Sequence, residues 1–470
     1  MKKHLTEETL IFFGILRWFF LATLLGLLVG LANAAFLKLL NLTIGFTTSY
    51  KYYYFSLPLV FMAVTYLAKK IRPQDKDYST DSVVERINSS QEVSIGSSLK
   101  AFLLPIITLG AGGSVGKEAP CADVGAGIGS NLAQFLNLTA EDGRKLMICG
   151  VSAGFAGVFG VPISGALFGL EVLFVGRLFY DVMFPALVAG ITAFQVTKYL
   201  GVAYQYHPID LVHVFSEQFF IKVILAGIFF GICSFVLIEL TKYGHLISRF
   251  IGMRFSKKLI PFIAGVLIVI IGFTVAPSYL GLGMNEINSV LHGNSVAWYG
   301  FLVKIVVTSL TFIAGGVGGI ITPILFIGSY AGSTFANFFG LDLATFAALG
   351  LVSVLAGACN TPISASIMAI ELFGAEIAPY ATVSCIISFL MTGHRSVFPS
   401  QVLSFRKDAE VDVGLGRKVG AIKPRVKKHV IPKLFKNVTN QFKPPFEELF
   451  SKEELKRYKQ NTAKSAKKRK

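Results

Sequence analysis

Long apolar stretches recur through the first four hundred residues, at about 10–44, 53–68, 99–115, 145–175, 180–197, 219–240, 259–280, 300–330 and 342–391. This recurrence constrains the chain more than any single motif does. A helix that crosses a bilayer needs roughly 20 predominantly apolar residues. Several of these runs can therefore cross once, and the longest can hold more than one helix. Charged residues make up 15% of the chain and its mean hydropathy is +0.63, whereas soluble domains are roughly 25% charged. The sequence predicts an all-α integral membrane protein. Transporter, channel and membrane enzyme are the classes left to separate.

The first run is too long for the apolar core of a secretory signal, which is about 7–15 residues, and reads as one long tilted membrane helix. Charge placement then suggests orientation. Lys69, Lys70, Arg72 and Lys76 follow the second run, and Lys242, Arg249, Arg254, Lys257 and Lys258 follow the sixth. The loop at 201–218 carries Asp210 and Glu217, with only histidines as potential cations. Basic short loops stay in the cytoplasm, so both termini are expected there, in a multi-pass cell-membrane protein of the prokaryotic inner-membrane kind. Of the formal net charge of +17, +13 lies between Arg406 and Lys470. That segment, 406–470, holds Pro424, Pro432, Pro444 and Pro445. It reads as a basic, largely disordered tail drawn to anionic lipid, and no nucleic-acid partner is expected. Cys121, Cys149, Cys233, Cys359 and Cys385 all sit in apolar sequence without a CxxC, and the seven histidines show no ligand spacing. Neither a metal site nor a cofactor is expected.

The chain contains an internal duplication. Ala111–Pro120, AGGSVGKEAP, matches Ala314–Pro323, AGGVGGIITP, at half of its positions, and the match continues through Gly125/Gly328, Gly129/Gly332 and Ser130/Ser333. Val161-Pro162-Ile163-Ser164 followed by Glu171 matches Thr361-Pro362-Ile363-Ser364 followed by Glu371. Two motifs in the same order at nearly the same spacing indicate a repeated unit of about 200 residues. Duplicated transporters place their sites where the halves meet, at helices broken by Gly and Pro. Pro120, Pro162, Pro323 and Pro362 each stand where a helix can begin. The expectation is four half-helix N-termini converging near the membrane midplane. The first N–H groups of a helix lack intrahelical acceptors and carry the positive end of its dipole, which suits a small anion.

Gly116-Lys117-Glu118-Ala119-Pro120 resembles the GREGP or GKEGP motif of the CLC family of chloride channels and proton-coupled anion antiporters. Gly319-Ile320-Ile321-Thr322-Pro323 is similar to that family's GIFAP motif. Gly160-Val161-Pro162 with Glu171, and Asn360-Thr361-Pro362 with Glu371, resemble the segments that follow them. The resemblance covers roughly 10–405. It implies about 18 helices in two inverted-topology repeats with re-entrant half-helices, one pore per subunit and a homodimer. A transmembrane anion-transport domain over 1–405 is expected, with repeats at about 10–200 and 215–400. By resemblance, Glu118 is the gating and proton-carrying acid, and Gly116, Lys117, Ala119, Gly319, Ile320 and Ile321 surround the anion. A carboxylate in a dry pore is disfavoured in its charged form, and an acid in an apolar membrane segment is functional by default.

The chain departs from the family pattern in three places. The GSGIP serine is missing; Thr80 or Asp81 is the candidate replacement, in a segment where Ser82 and Glu85 are also spaced as a helix capping box. Phe398 stands where a tyrosine closes the inner end of the site, and lacks the hydroxyl donor. Val172 takes the place of a second, inner glutamate. Glu171 is matched by Glu371, and that symmetry favours a structural role for both. These readings predict transport of chloride or a similar small anion, channel-like or weakly proton-coupled. The alternatives are a tightly coupled H+/Cl− or fluoride antiporter and, from another class, an intramembrane enzyme. The enzyme reading lacks an HExxH, a GxSxG or paired aspartates.

Overall fold

The computed structural model describes residues 2–71, 80–89, 91–209, 217–254, 259–422 and 424–426. Its helices fall into two series of eight. The first comprises α1 (Lys2–Thr48), α2 (Leu57–Ile71), α3 (Thr80–Asn88), α4 (Ile95–Gly110), α5 (Glu118–Phe135), α6 (Ala140–Phe159), α7 (Pro162–Glu171) and α8 (Tyr180–Tyr199). The second comprises α9 (Glu217–Arg254), α10 (Ile260–Thr274), α11 (Met284–Leu291), α12 (Gly300–Ile313), α13 (Ile321–Phe339), α14 (Leu343–Cys359), α15 (Pro362–Phe373) and α16 (Ala378–Met391). The short members hold the same places in each series: α3 and α11 have 9 and 8 residues, and α7 and α15 have 10 and 12. Neighbours repeat as well. Helix α5 packs on α6 as α13 does on α14, and α1 packs on α8 as α9 does on α16.

Sixteen α-helices among the described residues are fewer than the roughly 18 implied by the resemblance. The first apolar run stays helical without a break through all 47 residues of α1. After α16 the chain carries Gly393 and Pro399 and closes as a loop. It ends in a two-residue strand β2 (Val402–Leu403), paired in parallel with β1 (Phe174–Val175).

Four helical stretches, Thr6–Thr48, Tyr53–Ile71, Tyr180–Tyr199 and Glu217–Gly244, are long and apolar enough to cross a membrane. Six further apolar helices have only 10–17 residues, shorter than a full crossing requires. Helices this short are stable at membrane depth only where other protein segments pack against them.

Glycine makes that packing possible. Helices α5 and α6 cross at Gly125 and Gly150, where a methyl group on either would overlap the carbonyl of the other. The contact repeats between α13 and α14 at Gly328 and Gly350. Small residues let membrane helices approach to backbone contact.

Reciprocal bonds show that the two halves are inverted against each other. Thr108 Oγ1 accepts from the Val317 N–H (3.3 Å), and Thr311 Oγ1 accepts from the Ser114 N–H (3.2 Å). One side chain serves both halves. A Cβ on Gly113 or on Gly316 would lie 3.5 or 3.2 Å from the same Phe61 Cε1, which puts Phe61 on the pseudo-twofold axis.

The chain packs as two units. Residues up to Phe405 and Leu415–Ile422 form the first. The sequence-based boundary at 406 is thus interrupted, because Leu415–Ile422 returns to the membrane unit. There Val419 N–H bonds the Gln401 carbonyl and Gly420 N–H the Pro399 carbonyl, both at 2.8 Å. In the second unit the described residues include an antiparallel pair, β3 (Val411–Asp412) against β4 (Arg425–Val426). The remainder of the expected tail, 427–470, lies outside the described residues.

Candidate functional site

After α4 and again after α12 the chain makes the same turn. Gly112 has φ +94° and Gly315 φ +77°, a left-handed conformation open to glycine at no steric cost. The loops that follow bond back to back. Gly116 N–H donates to the Gly319 carbonyl at 2.5 Å, and Gly319 N–H donates to the Gly116 carbonyl at 2.8 Å. This bridge sets the N-termini of α5 and α13 beside each other. Lys117 and Ile320 are the matching N-caps, and Glu118 and Ile321 the matching first residues.

The two starts differ chemically. Glu118 is fully buried and reaches from α5 to α13. Its Oε2 accepts from the Thr322 N–H (3.2 Å) and from the Thr322 hydroxyl. Its Oε1 has no hydrogen-bond partner. Gly116 makes room for this arrangement, since a Cβ there would stand 2.6 Å from Glu118 Oε2 and 2.8 Å from Thr322 Oγ1. Gly319 is as confined, with Ala119 Cβ 2.6 Å from where its own Cβ would be. Ile320 and Ile321 are buried, and half-buried Lys117 immediately precedes Glu118. The positive end of α13 holds a carboxylate from the opposite half, the interaction expected of a helix N-terminus with an anion.

The other two N-termini depart from the sequence expectation. Glu171, at the end of α7, caps the start of α15: its carboxylate accepts from Ile363 N–H (3.1 Å) and Ser364 N–H (2.8 Å). Glu371 returns the bond to α7, accepting from Ile163 N–H (3.0 Å) and Ser164 N–H (2.8 Å). Ser164 and Ser364 each donate a hydroxyl to the other's carbonyl at 2.9 Å. Of the four expected anion-facing helix starts, those of α7 and α15 are occupied by the protein's own carboxylates. The physical reason is that the two helices lie antiparallel, so each acidic C-terminal end meets the other's orphan amides.

A second cluster forms around the loop after α16. Asp81 accepts from the Ser400 N–H (2.7 Å) and the Ser400 hydroxyl (2.8 Å), so both of its oxygens tie α3 to this loop. Asp81, one of the two candidates for the place of the missing serine, is engaged in this way at both of its oxygens. The Thr80 side chain lies outside the described residues. Glu85, the other half of the supposed capping box, forms an ion pair with Lys418 at 2.6 Å. Phe398 is buried in the same loop, which is fastened to the end of α14 by Val397 N–H bonding the Ala358 carbonyl (3.0 Å). Fully buried Gln401 donates to the carbonyls of Val172 and Cys359, both at 2.7 Å, and so joins the ends of α7 and α14.

Thr322, Ser400 and Gln401 escaped the sequence reading. Thr322 had a signal. At the repeat offset it is the counterpart of Ala119, and a hydroxyl opposite a methyl marks where the halves diverge.

Inverted halves whose broken helices meet at a buried acid define a membrane transport protein for small anions. The model of the voltage gated chloride channel family matches residues 60–393, and the chain belongs to that family. It is 33% identical over 407 residues to a chloride/fluoride channel protein of Pseudomonas syringae pv. tomato, covering 84% of this chain and 88% of the relative. Among solved structures it resembles a CLC-type fluoride/proton antiporter at TM-score 0.78 and 26% identity, over 83% of this chain and 99% of that one. It shares the fold of a slow cyanobacterial Cl−/H+ antiporter at TM-score 0.71 and 19% identity, over 80% and 94% of the two chains.

Proposed function

We propose that this chain carries chloride or fluoride across the membrane along a route that Glu118 closes. The observation behind this reading is the bond from Glu118 Oε2 to the Thr322 N–H and hydroxyl. A tethered carboxylate takes the donors that a free halide would use. Gly116, Ala119, Gly319, Ile320 and Ile321 supply backbone around that position, and Lys117 adds positive potential. Protonation removes the charge of Glu118 and weakens its hold on α13, and an anion then takes the donors. Backbone N–H groups hold a halide without a fixed counter-charge, which keeps release fast.

The inner side favours channel-like or weakly coupled flux. Val172 is apolar, Phe398 has no hydroxyl, and Asp81 is engaged by Ser400. A proton at that depth needs titratable groups or ordered water. The second reading is strict anion/proton exchange, with Glu118 itself carrying the proton; the similarity to a fluoride/proton antiporter favours it. In both readings the protein is a homodimer with one route per subunit, its basic loops and both termini in the cytoplasm.

The test is purified protein in liposomes, with chloride and fluoride efflux and proton movement recorded together. Flux of either anion with little proton movement is expected. Uphill proton movement in fixed ratio to anion flux replaces the first reading with the second, and no flux of either anion sinks both.

A further inference from the structure

The geometry points to a phosphate-binding site where α6 and α8 begin, formed by Arg144 and Arg177 around the ring of Phe179. The guanidinium carbons of Arg144 and Arg177 lie 5.3 and 5.5 Å from the Phe179 ring centroid. Arg144 sits in the first turns of α6, and Arg177 and Phe179 in the segment between β1 and α8. Two like charges gathered on one ring require an anion or a strong structural reason.

The local carboxylates do not supply that anion. Asp142 pairs with Arg17 at 2.7 Å. Glu141 and Asp181 both pair with Lys145, at 3.0 and 3.2 Å. Glu171 is spent on the Ile363 and Ser364 amides. Neither Arg144 nor Arg177 forms an ion pair among the described residues, Asp181 acting on Arg144 only from beyond bonding distance, and the buried Nε of Arg144 has no acceptor. A buried donor without an acceptor costs more than the bond it forgoes.

Space and chemistry agree on the ligand. A groove of about 740 Å³ opens beside Arg177, bounded by Gly176, Phe179, Tyr180 and the carboxylates of Asp181 and the already bonded Glu171, and Arg144 approaches it across the Phe179 ring. Two planar guanidinium forks match tetrahedral phosphate oxygens, and they prefer that geometry to a bare halide. Arg17 and Trp18 on α1 and the exposed Tyr180 on α8 supply the basic and aromatic belt found at headgroup depth. The phosphate comes either from an anionic lipid headgroup or from a free phosphate.

Native mass spectrometry of the detergent-purified chain with added phosphatidylglycerol or phosphatidylcholine, beside calorimetric titration with inorganic phosphate, tests the site. The wild type should retain phosphatidylglycerol, bind phosphate, or both; lipid retention alone identifies a headgroup and phosphate binding alone a soluble ligand. R144Q/R177Q should weaken whichever is seen by about tenfold or more. R177Q alters an exposed position and should show the same direction without disturbing the helix packing. R417Q, which removes an equal charge elsewhere, should behave as wild type. Binding unchanged in R144Q/R177Q, or lost equally in R417Q, or absent from the wild type in both titrations, overturns the proposal.

Discussion

The two pairs of facing half-helices use the same interaction to opposite ends. At α7 and α15 the exchange is symmetrical, with Glu171 capping one helix and Glu371 the other. Neither acid can leave without exposing buried amides, so the pair locks the halves together. At α5 and α13 the exchange runs one way. Glu118 caps α13, but its repeat counterpart is Ile321, which returns no carboxylate. Symmetry makes an acid structural; on the function proposed above, broken symmetry leaves an acid that a competing anion displaces.

The sharpest way to break this comparison is to remove both reciprocal caps. Glu171→Ala with Glu371→Ala leaves four N–H groups without these acceptors, and the two that are buried, at Ser164 and Ser364, cost about 1–3 kcal/mol each. We expect little monodisperse protein, and a large fall in thermal stability of whatever is recovered by size exclusion. Wild-type stability in the double variant would mean that the caps lock nothing.

Glu118→Gln should do the reverse. It mimics the protonated gate, so anion flux in liposomes should persist, lose its pH dependence and carry no proton movement, with stability near wild type. A variant that keeps the wild-type pH profile removes Glu118 from the gate.

Thr322→Val takes away one donor to a charged acceptor, worth about 1.5–3 kcal/mol. Flux at neutral pH should rise by about tenfold or more, while Thr322→Ser should stay close to wild type. Equal flux in the Val and Ser variants would show that the hydroxyl does not hold the gate shut.

Phe398→Tyr probes the inner cluster. If its hydroxyl reaches the anion, calorimetry should find chloride bound tighter by about 0.5–1.5 kcal/mol. Unchanged or weaker binding places Phe398 away from the route.

The smallest effect concerns the strap over α15. His207 N–H and Ile209 N–H bond the Leu372 and Phe373 carbonyls at 3.0 and 2.9 Å. His207 is held below the usual histidine range, first by burial and further by His292, against the bond to Asn288. The unfolded chain therefore binds this proton more readily than the folded one. The stability His207 contributes is present above the ordinary histidine pKa of about 6.5 and declines as pH falls below it. The loss of thermal stability between pH 7.5 and 5.5 should be slightly smaller in His207→Gln than in wild type. An identical or larger loss removes His207 as its source.

Much of the fold was legible because the signals behind it are local. Apolar runs give membrane helices, and Gly-rich turns with a Pro in the next helical turn mark where helices restart; duplication wrote each signal twice. Glu118 was legible for the same reason, as an acid at a helix start in otherwise apolar sequence. The partner of Asp81 was not legible, because Ser400 is 319 residues away, and no spacing rule reaches that far. Residues 415–422 were read as tail because backbone makes several of their bonds, which leaves no mark on composition, and the side-chain pair Lys418–Glu85 spans 333 residues.

By itself the sequence determined an all-α membrane protein in two copied halves, with an acid at one broken helix and none at its counterpart. Only the tertiary structure decided what each acid meets. Glu118 finds Thr322 across 204 residues, and Glu171 finds Ile363 across 192. Inversion sets the starts of α5 and α13 beside each other, and sets the end of each of α7 and α15 on the start of the other. A helix terminus needs an acceptor or a donor wherever it is buried, but which residue supplies it depends on how the halves pack.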